Sequence, residues 1–288
     1  MGSGIARALL AKGFVVSVHD IVPERVQALV EAGAIDGMSV AGLADSTDVV
    51  MTVVVDAAQT REVLSVIPDA ATRQRSGIQL QLVMMCSTIA PADSESLAAN
   101  LHARRILMLD SPISGGPARA HAGTLSMMAS GSDDAFALAR EVIEATTSNC
   151  FRISARPGDG SRMKIVNNML AAANLAAGCE AMVAAARLGL DLHQTADVIN
   201  ASSGGSWIFA DRMPRALADD YTPRAAARVL RKDISLFVDA AHVLRVDAPM
   251  AEAASRVFED TVERGFGEED DASVLKRYAA IAGVTLSS

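Results

Sequence analysis

Along the first half of the chain, short apolar runs alternate with longer amphipathic ones. Phe14-Val15-Val16-Ser17-Val18-His19-Asp20 is β-branched, set between Gly13 and Pro23, and predicts a buried strand. Runs of the same kind occupy residues 48–55, 79–86, 106–110 and 125–130, with a short extended piece at 150–153. Between them the 3.6-residue period predicts helices. The first covers 2–12, with Ile5, Leu9 and Leu10 inward and Gly13 ending it. Others start at Pro23 and run to Leu29, lie around 60–65, and cover 91–103 and 133–145. Strands alternating with helices predict right-handed crossovers and a mostly parallel sheet. After Gly160 the strand signal fades. Helical patterns follow at 161–188, 193–201, 223–245 and 248–264. The change of period predicts two domains, an α/β domain over 1–155 and an all-α domain over 156–288.

Composition narrows the function. Hydrophobic residues make up 50% of 288, enough for sizeable cores, and aromatics only 3%, so those cores are aliphatic. A net charge of -8 argues against a nucleic-acid or anionic-membrane partner. Cys86, Cys150 and Cys179 fit neither zinc spacing nor a disulfide framework, which points to a reducing cytosol. The five histidines show no pairing that implies a metal. The apolar run from Ala171 is interrupted by Asn174, Glu180 and Arg187, so no membrane span is expected there. Residues 1–4 lack the features of a signal peptide, and none is expected. Glu268-Glu269-Asp270-Asp271 reads as a solvated acidic loop or a helix N-terminus.

Ligands of an open parallel sheet bind beyond the carboxyl ends of its strands, so the residues there are the candidates. Gly2 and Gly4 precede a helix whose N-terminal N–H groups suit a pyrophosphate. Asp20 lies 18 positions after Gly2, near the offset of about 20 at which a carboxylate holds an adenosine ribose; a turn aspartate before Pro23 is the plain alternative. Thr88 ends the third predicted strand and either bonds a ligand or caps the next helix. Ser114-Gly115-Gly116 offers consecutive backbone N–H groups to a carboxylate, or is an ordinary turn.

Lys164 and Asn168 share one face of a helix that Ser161 or Asp159 would cap. In the first turn of that helix and partly buried, a lysine gives up its proton more readily and suits a general base. An exposed lysine is the plain reading. Lys232-Asp233 reads as a surface ion pair inside a helix.

Taken in order, four segments resemble the β-hydroxyacid dehydrogenase family: 1–6 as the tail of its glycine-rich fingerprint, 110–117 as its substrate motif, 160–168 as its catalytic motif, and Lys232-Asp233 as its late cofactor-contacting pair. The resemblance covers the whole chain. It implies a Rossmann NAD-binding domain joined by a long helix to an all-α domain, in dimers or tetramers. It implies Lys164 as general acid/base, Asn168 orienting substrate or lysine, and Ser114, Gly115 and Gly116 holding a substrate carboxylate. Gly2, Asp20, Val54, Val55, Gln59, Thr88 and Lys232 would contact NAD, with NADP disfavoured by Asp20. Val55 stands where family members often carry proline. Residues 203–209, 220–223 and 267–271 look most like members that oxidise L-threonate, with Trp207 and Phe209 lining the pocket and Ser203 and Ser206 serving substrate hydroxyls. Members acting on 3-hydroxyisobutyrate or tartronate semialdehyde are the alternatives within the family, and a non-catalytic dinucleotide sensor is the alternative outside it. Because such a domain opens with a strand before its glycine turn, the sequence is expected to be missing that strand, about 10 residues.

Overall fold

A computed structural model describes residues 1–67 and 80–286. It divides into two compact units, Met1–Lys164 and Ile165–Ser288, the division falling inside one 29-residue helix.

The first unit runs α1 (Gly2–Ala11), β1 (Ser17–Val18), α2 (Pro23–Val30), β2 (Ile35–Asp36), α3 (Val40–Ser46), β3 (Val49–Thr52), α4 (Ala57–Ser65), β4 (Leu82–Met85), α5 (Pro91–Ala103), β5 (Leu107–Asp110), β6 (Ile113–Ser114), α6 (Gly116–His121), β7 (Leu125–Ser130), α7 (Asp133–Thr146) and β8 (Thr147–Ser154). It ends in the first residues of α8 (Asp159–Arg187). Strands β3, β4 and β5 are parallel and in step, Thr52 opposite Met85 and Met85 opposite Asp110, so their carboxyl ends are level. β5 meets β7 antiparallel at Asp110 and Ser130, β6 is antiparallel to β7, and β8 is parallel to it. The sheet is therefore mixed beyond β5. The chain reverses there through β6 and α6, two short elements hidden in what the sequence presents as a loop.

All four residues of β4 are fully buried, and they divide by the two-residue period. Leu82 and Met84 join Ile5, Leu9, Leu109, Leu125 and Val142 on one face; Val83 and Met85 join Leu64, Leu97, Leu101 and Met108 on the other. Each such buried side chain stabilises the fold by about 2 kcal/mol.

The run at 14–20 forms only the two-residue β1, paired with β2 alone, and Val15 is 84% exposed. The expectation of a buried strand fails because β1 has a partner on one side only. Among the described residues, no ladder joins the β1–β2 ribbon to the six-stranded sheet. Between them opens a slot of about 710 Å³, lined by α1, residues 14–20 and residues 46–54. Gln79 of the predicted third strand lies outside the described residues; the strand itself is Leu82–Met85.

The second unit is helical. It comprises α8 from Ile165 onward, α9 (Leu192–Asn200), α10 (Trp207–Leu217), α11 (Ala227–Leu244), α12 (Pro249–Thr261) and α13 (Val274–Ala282). α8 is long and apolar enough to cross a membrane by length and composition. Part of its apolar surface is used in packing: Ala172, Leu175, Ala176, Cys179, Met182 and Val183 form one core with Phe209, Ile234, Phe258 and Leu275, whereas Val166 and Leu170 are exposed. The acidic run is a helix N-terminus, as one of the two readings has it: Glu268 is exposed, while Asp270 caps the short turn that leads into α13 by accepting the Ala272 N–H. Asp270 and Asp271 are buried, Arg212 holding Asp271 through two bonds of 2.6 and 3.1 Å and Arg215 reaching Asp270 at 3.2 Å. Two buried guanidiniums require those charges.

Candidate active site

α8 begins at Asp159, so Lys164 is its sixth residue and lies in the second turn, not the first. Neither Ser161 nor Asp159 caps it. The acceptors come from the strand ends. Asp110 takes the Gly158 and Ser161 N–H groups on Oδ2 at 2.9 Å each, and Ser130 Oγ takes the Gly160 N–H at 2.9 Å. The Ser161 hydroxyl donates to Asp110 Oδ1 at 2.8 Å. Gly160 is required by proximity: a Cβ there would lie 2.5 Å from the Asp110 carbonyl oxygen and 2.6 Å from that of Met128. Burial pushes the Asp110 carboxyl above its ordinary value, while bonds from Ser161 and Gly158 draw it back.

Lys164 is 6% exposed, and its Nζ donates to the Ile113 carbonyl oxygen at 2.7 Å. The next residue, Ser114, opens the loop through Gly115 and Gly116, whose φ values of 134° and 76° belong to glycine. Lysine and loop, 50 residues apart from Ser114 to Lys164, thus meet at one point of the first unit. Nearby Cys86 is buried, and that burial pushes its thiol up to about 12.

Gly2, Asp20 and Val54 line the slot beside the sheet. Gly2 starts α1 next to β3, where a Cβ would stand 3.6 Å from Val53. No side chain caps α1, and its first turn has no acidic residue, which fits a bound pyrophosphate. Asp20 accepts the Val22 N–H at 2.9 Å and pairs with Arg25 at 3.5 Å. Val55 and Gln59 are not among the slot's lining residues. The Gln59 side chain accepts the Val55 N–H at 3.0 Å beside Asp56, the N-cap of α4, so their polar groups finish that helix. Thr88 is half-buried in the loop after β4, away from the slot's lining.

In the helical unit Asn168 Nδ2 donates to Asp233 Oδ2 at 2.7 Å, and Lys232 Nζ lies 2.6 Å from Asp233 Oδ1. Asp233 is buried, so Lys232-Asp233 is no surface pair; it connects Asn168 to Lys232. The sequence reading missed Asp233 in this role, as it missed Asp110 and Ser130, although an aspartate beside a candidate lysine was a signal. Trp207 is 56% exposed at the start of α10. Phe209 does not line a pocket: it is 1% exposed and packs on Gly178 in the core. Ser206 is the N-cap of α10, accepting the Phe209 N–H at 3.2 Å.

Residues 1–154 match the model of the NAD-binding domain of 6-phosphogluconate dehydrogenase. Residues 158–278 match that described as NAD-binding of NADP-dependent 3-hydroxyisobutyrate dehydrogenase. The L-threonate dehydrogenase of Cupriavidus necator is 39% identical over 98% of this chain and 94% of its own length. The NAD-dependent L-serine dehydrogenase of Pseudomonas aeruginosa is 32% identical over 98% and 96%. The crystal structure of 3-hydroxyisobutyrate dehydrogenase from Salmonella typhimurium superposes with a TM-score of 0.86 at 37% identity, covering 96% of this chain and 95% of that one. The chain is a dehydrogenase with an NAD-binding Rossmann domain, and it belongs to the β-hydroxyacid dehydrogenase family, among its 3-hydroxyisobutyrate dehydrogenase-like members.

Proposed function

We propose that this dehydrogenase oxidises L-threonate to its 2-oxo acid with NAD, in the cytoplasm and as a homodimer or homotetramer. The observation that carries the reading is the Lys164 amine, buried and held 2.7 Å from the Ile113 carbonyl at the head of the Ser114–Gly116 loop. A carboxylate on the loop N–H groups leaves the neighbouring hydroxyl within reach of Nζ. Neutral Lys164 takes the hydroxyl proton as the carbonyl forms, and returns it in the reverse direction. The family resemblance assigns Asn168 to orienting the substrate or the lysine, and Trp207 to the substrate. Gly2, Asp20, Val54, Val55, Gln59, Thr88 and Lys232 are the residues that would hold the dinucleotide, Asp20 favouring NAD because a carboxylate repels a 2′-phosphate. When bound, the nicotinamide supplies the redox step by accepting hydride. The substrate assignment is supported by the L-threonate dehydrogenases at 34–39% identity.

Two measurements test the proposal. Across L-threonate, 3-hydroxyisobutyrate, tartronate semialdehyde and L-serine with either cofactor, kcat/KM should be highest for L-threonate with NAD. A higher value for 3-hydroxyisobutyrate moves the protein to that activity. Lys164→Ala should lose about 10²-fold or more in kcat while NAD still binds. Wild-type kcat in that variant overturns the base assignment, and NAD binding without turnover of any acid by the intact protein leaves a sensor.

A further inference from the structure

The first turn of α8 takes its cap from a strand 48 to 51 residues earlier in the chain. Asp110 is 0% exposed, and the hydrogen bonds its carboxylate receives come from neutral groups. The arginines of that turn are engaged elsewhere: Arg156 with Asp159, and Arg162 with Asp159 and Glu95. The carboxylate is used instead on two backbone N–H groups and on the Ser161 and Ser130 hydroxyls, the last at 3.4 Å. Three residues after Ser161 comes Lys164, and three residues after Asp110 comes Ile113, which accepts the lysine's proton at 2.7 Å. Two four-residue segments, 110–113 and 161–164, are thus joined at both ends into a closed ring.

We propose that Asp110 is a positioning residue for Lys164, its buried carboxylate fixing the rotation of the first turn of α8 so that the amine stays on the Ile113 carbonyl and faces the Ser114–Gly116 loop. The role rests on the reading of Lys164 as the base. One residue of slip in where α8 starts turns Lys164 by about 100° about the helix axis, away from the loop. Gly160 lets the turn approach the strand ends, but contact alone does not set rotation; directed hydrogen bonds do. A carboxylate has the lone pairs for all these donors, whereas a neutral side chain of that size accepts at one atom only.

The experiment is a double-mutant cycle on kcat. Asp110→Asn keeps the shape and one acceptor. It should unfold cooperatively, bind NAD within about twofold of wild type, and lose about tenfold in kcat with KM little changed. In a Lys164→Ala background supplied with ethylamine as a free base, adding Asp110→Asn should change the rescued rate by less than about twofold, because no tethered amine remains to be positioned. The same tenfold loss in the rescued background, or no loss in the single variant, overturns the positioning role. If Asp110→Asn fails to fold, Ser161→Ala, which removes one donor to the carboxylate, takes its place with an expected loss of about threefold in the same cycle. An unchanged kcat in Lys164→Ala alone overturns the base assignment and the positioning role together; a large loss there with a factor-preserving cycle overturns the positioning role alone.

Discussion

Two helices of the α/β unit begin at the carboxyl ends of strands and are finished in opposite ways. α8 starts against β5 and β7, and its N–H groups are taken by Asp110 and Ser130. α1 starts beside Val53, with no capping side chain and no acidic residue in its first turn. The positive end of a helix is filled by the protein in one place; in the other, the proposed function assigns it to the pyrophosphate. The filled start holds a side chain still. The open one, on the proposed function, would supply binding energy to a ligand that comes and goes.

The hardest blow to this contrast is Gly160→Ala. The methyl group would enter the space of two backbone carbonyl oxygens at 2.5 and 2.6 Å, which backbone cannot yield cheaply. The expected cost is about 3 kcal/mol in urea unfolding, against a helix-propensity gain of about 1 kcal/mol. A more stable variant would mean that the helix start is not pressed on the strands.

Filling the open start is the converse. Ser3 is exposed and lines the slot, so Ser3→Asp places a carboxylate where the pyrophosphate would sit. Calorimetric titration should give an NAD Kd about tenfold weaker, while the ligand-free protein gains about 0.5 kcal/mol from the helix dipole. An unchanged Kd would place the pyrophosphate elsewhere.

Smaller still is the effect at the ribose. Asp20→Ala removes the carboxylate and frees Arg25, now 3.5 Å from it, to meet a 2′-phosphate. The ratio of kcat/KM for NADP over NAD should rise about fivefold. No change would show that Asp20 serves its turn only.

Finest is a pH effect at the filled start. The Ser154 hydroxyl, then Arg156 and Arg162, hold the Asp159 carboxyl below its ordinary 3.8. A depressed carboxylate contributes stability above its unfolded value and loses it as pH falls through the folded one. The gap in Tm between wild type and Asp159→Asn should therefore be constant near neutrality and close below pH 3.8. A gap that widens in acid would contradict the assignment.

How much of this was legible in the sequence depended on how local each signal was. α5 begins and ends where its proline and apolar stripe predict, Pro91 to Ala103. The Lys164 and Ser114–Gly116 motifs are contiguous and could be read directly. The cap of α8 could not, because helix-start rules look for an acceptor at the N-cap itself, and Asp110 is folded in from β5. α10 escaped because Pro214 interrupts its pattern and its start had been read as a substrate motif. α3, β2, β6 and α6 are too short for a period to show. Phe209 was misplaced because an aromatic two residues after an exposed tryptophan looks like its neighbour on a pocket wall, whereas the helix turns it into the core.

The break between the β1–β2 ribbon and the larger sheet has a consequence for how the molecule opens. With no ladder across the slot among the described residues, the ribbon is tied to the rest by helix contacts, by Val16 against the core of the larger sheet, and by a small cluster of Ala6, Leu29 and Ala34 with Leu10, Val16 and Val18. Its few backbone bonds, such as Ile35 N–H to the Val16 carbonyl at 2.8 Å, can be lost without disturbing β4, whose residues are all at 0% exposure. The ribbon is then a cooperative unit of its own at the low end of the stability scale. Its amides would exchange with deuterium through local opening, while those of Leu82 to Met85 exchange only through global unfolding.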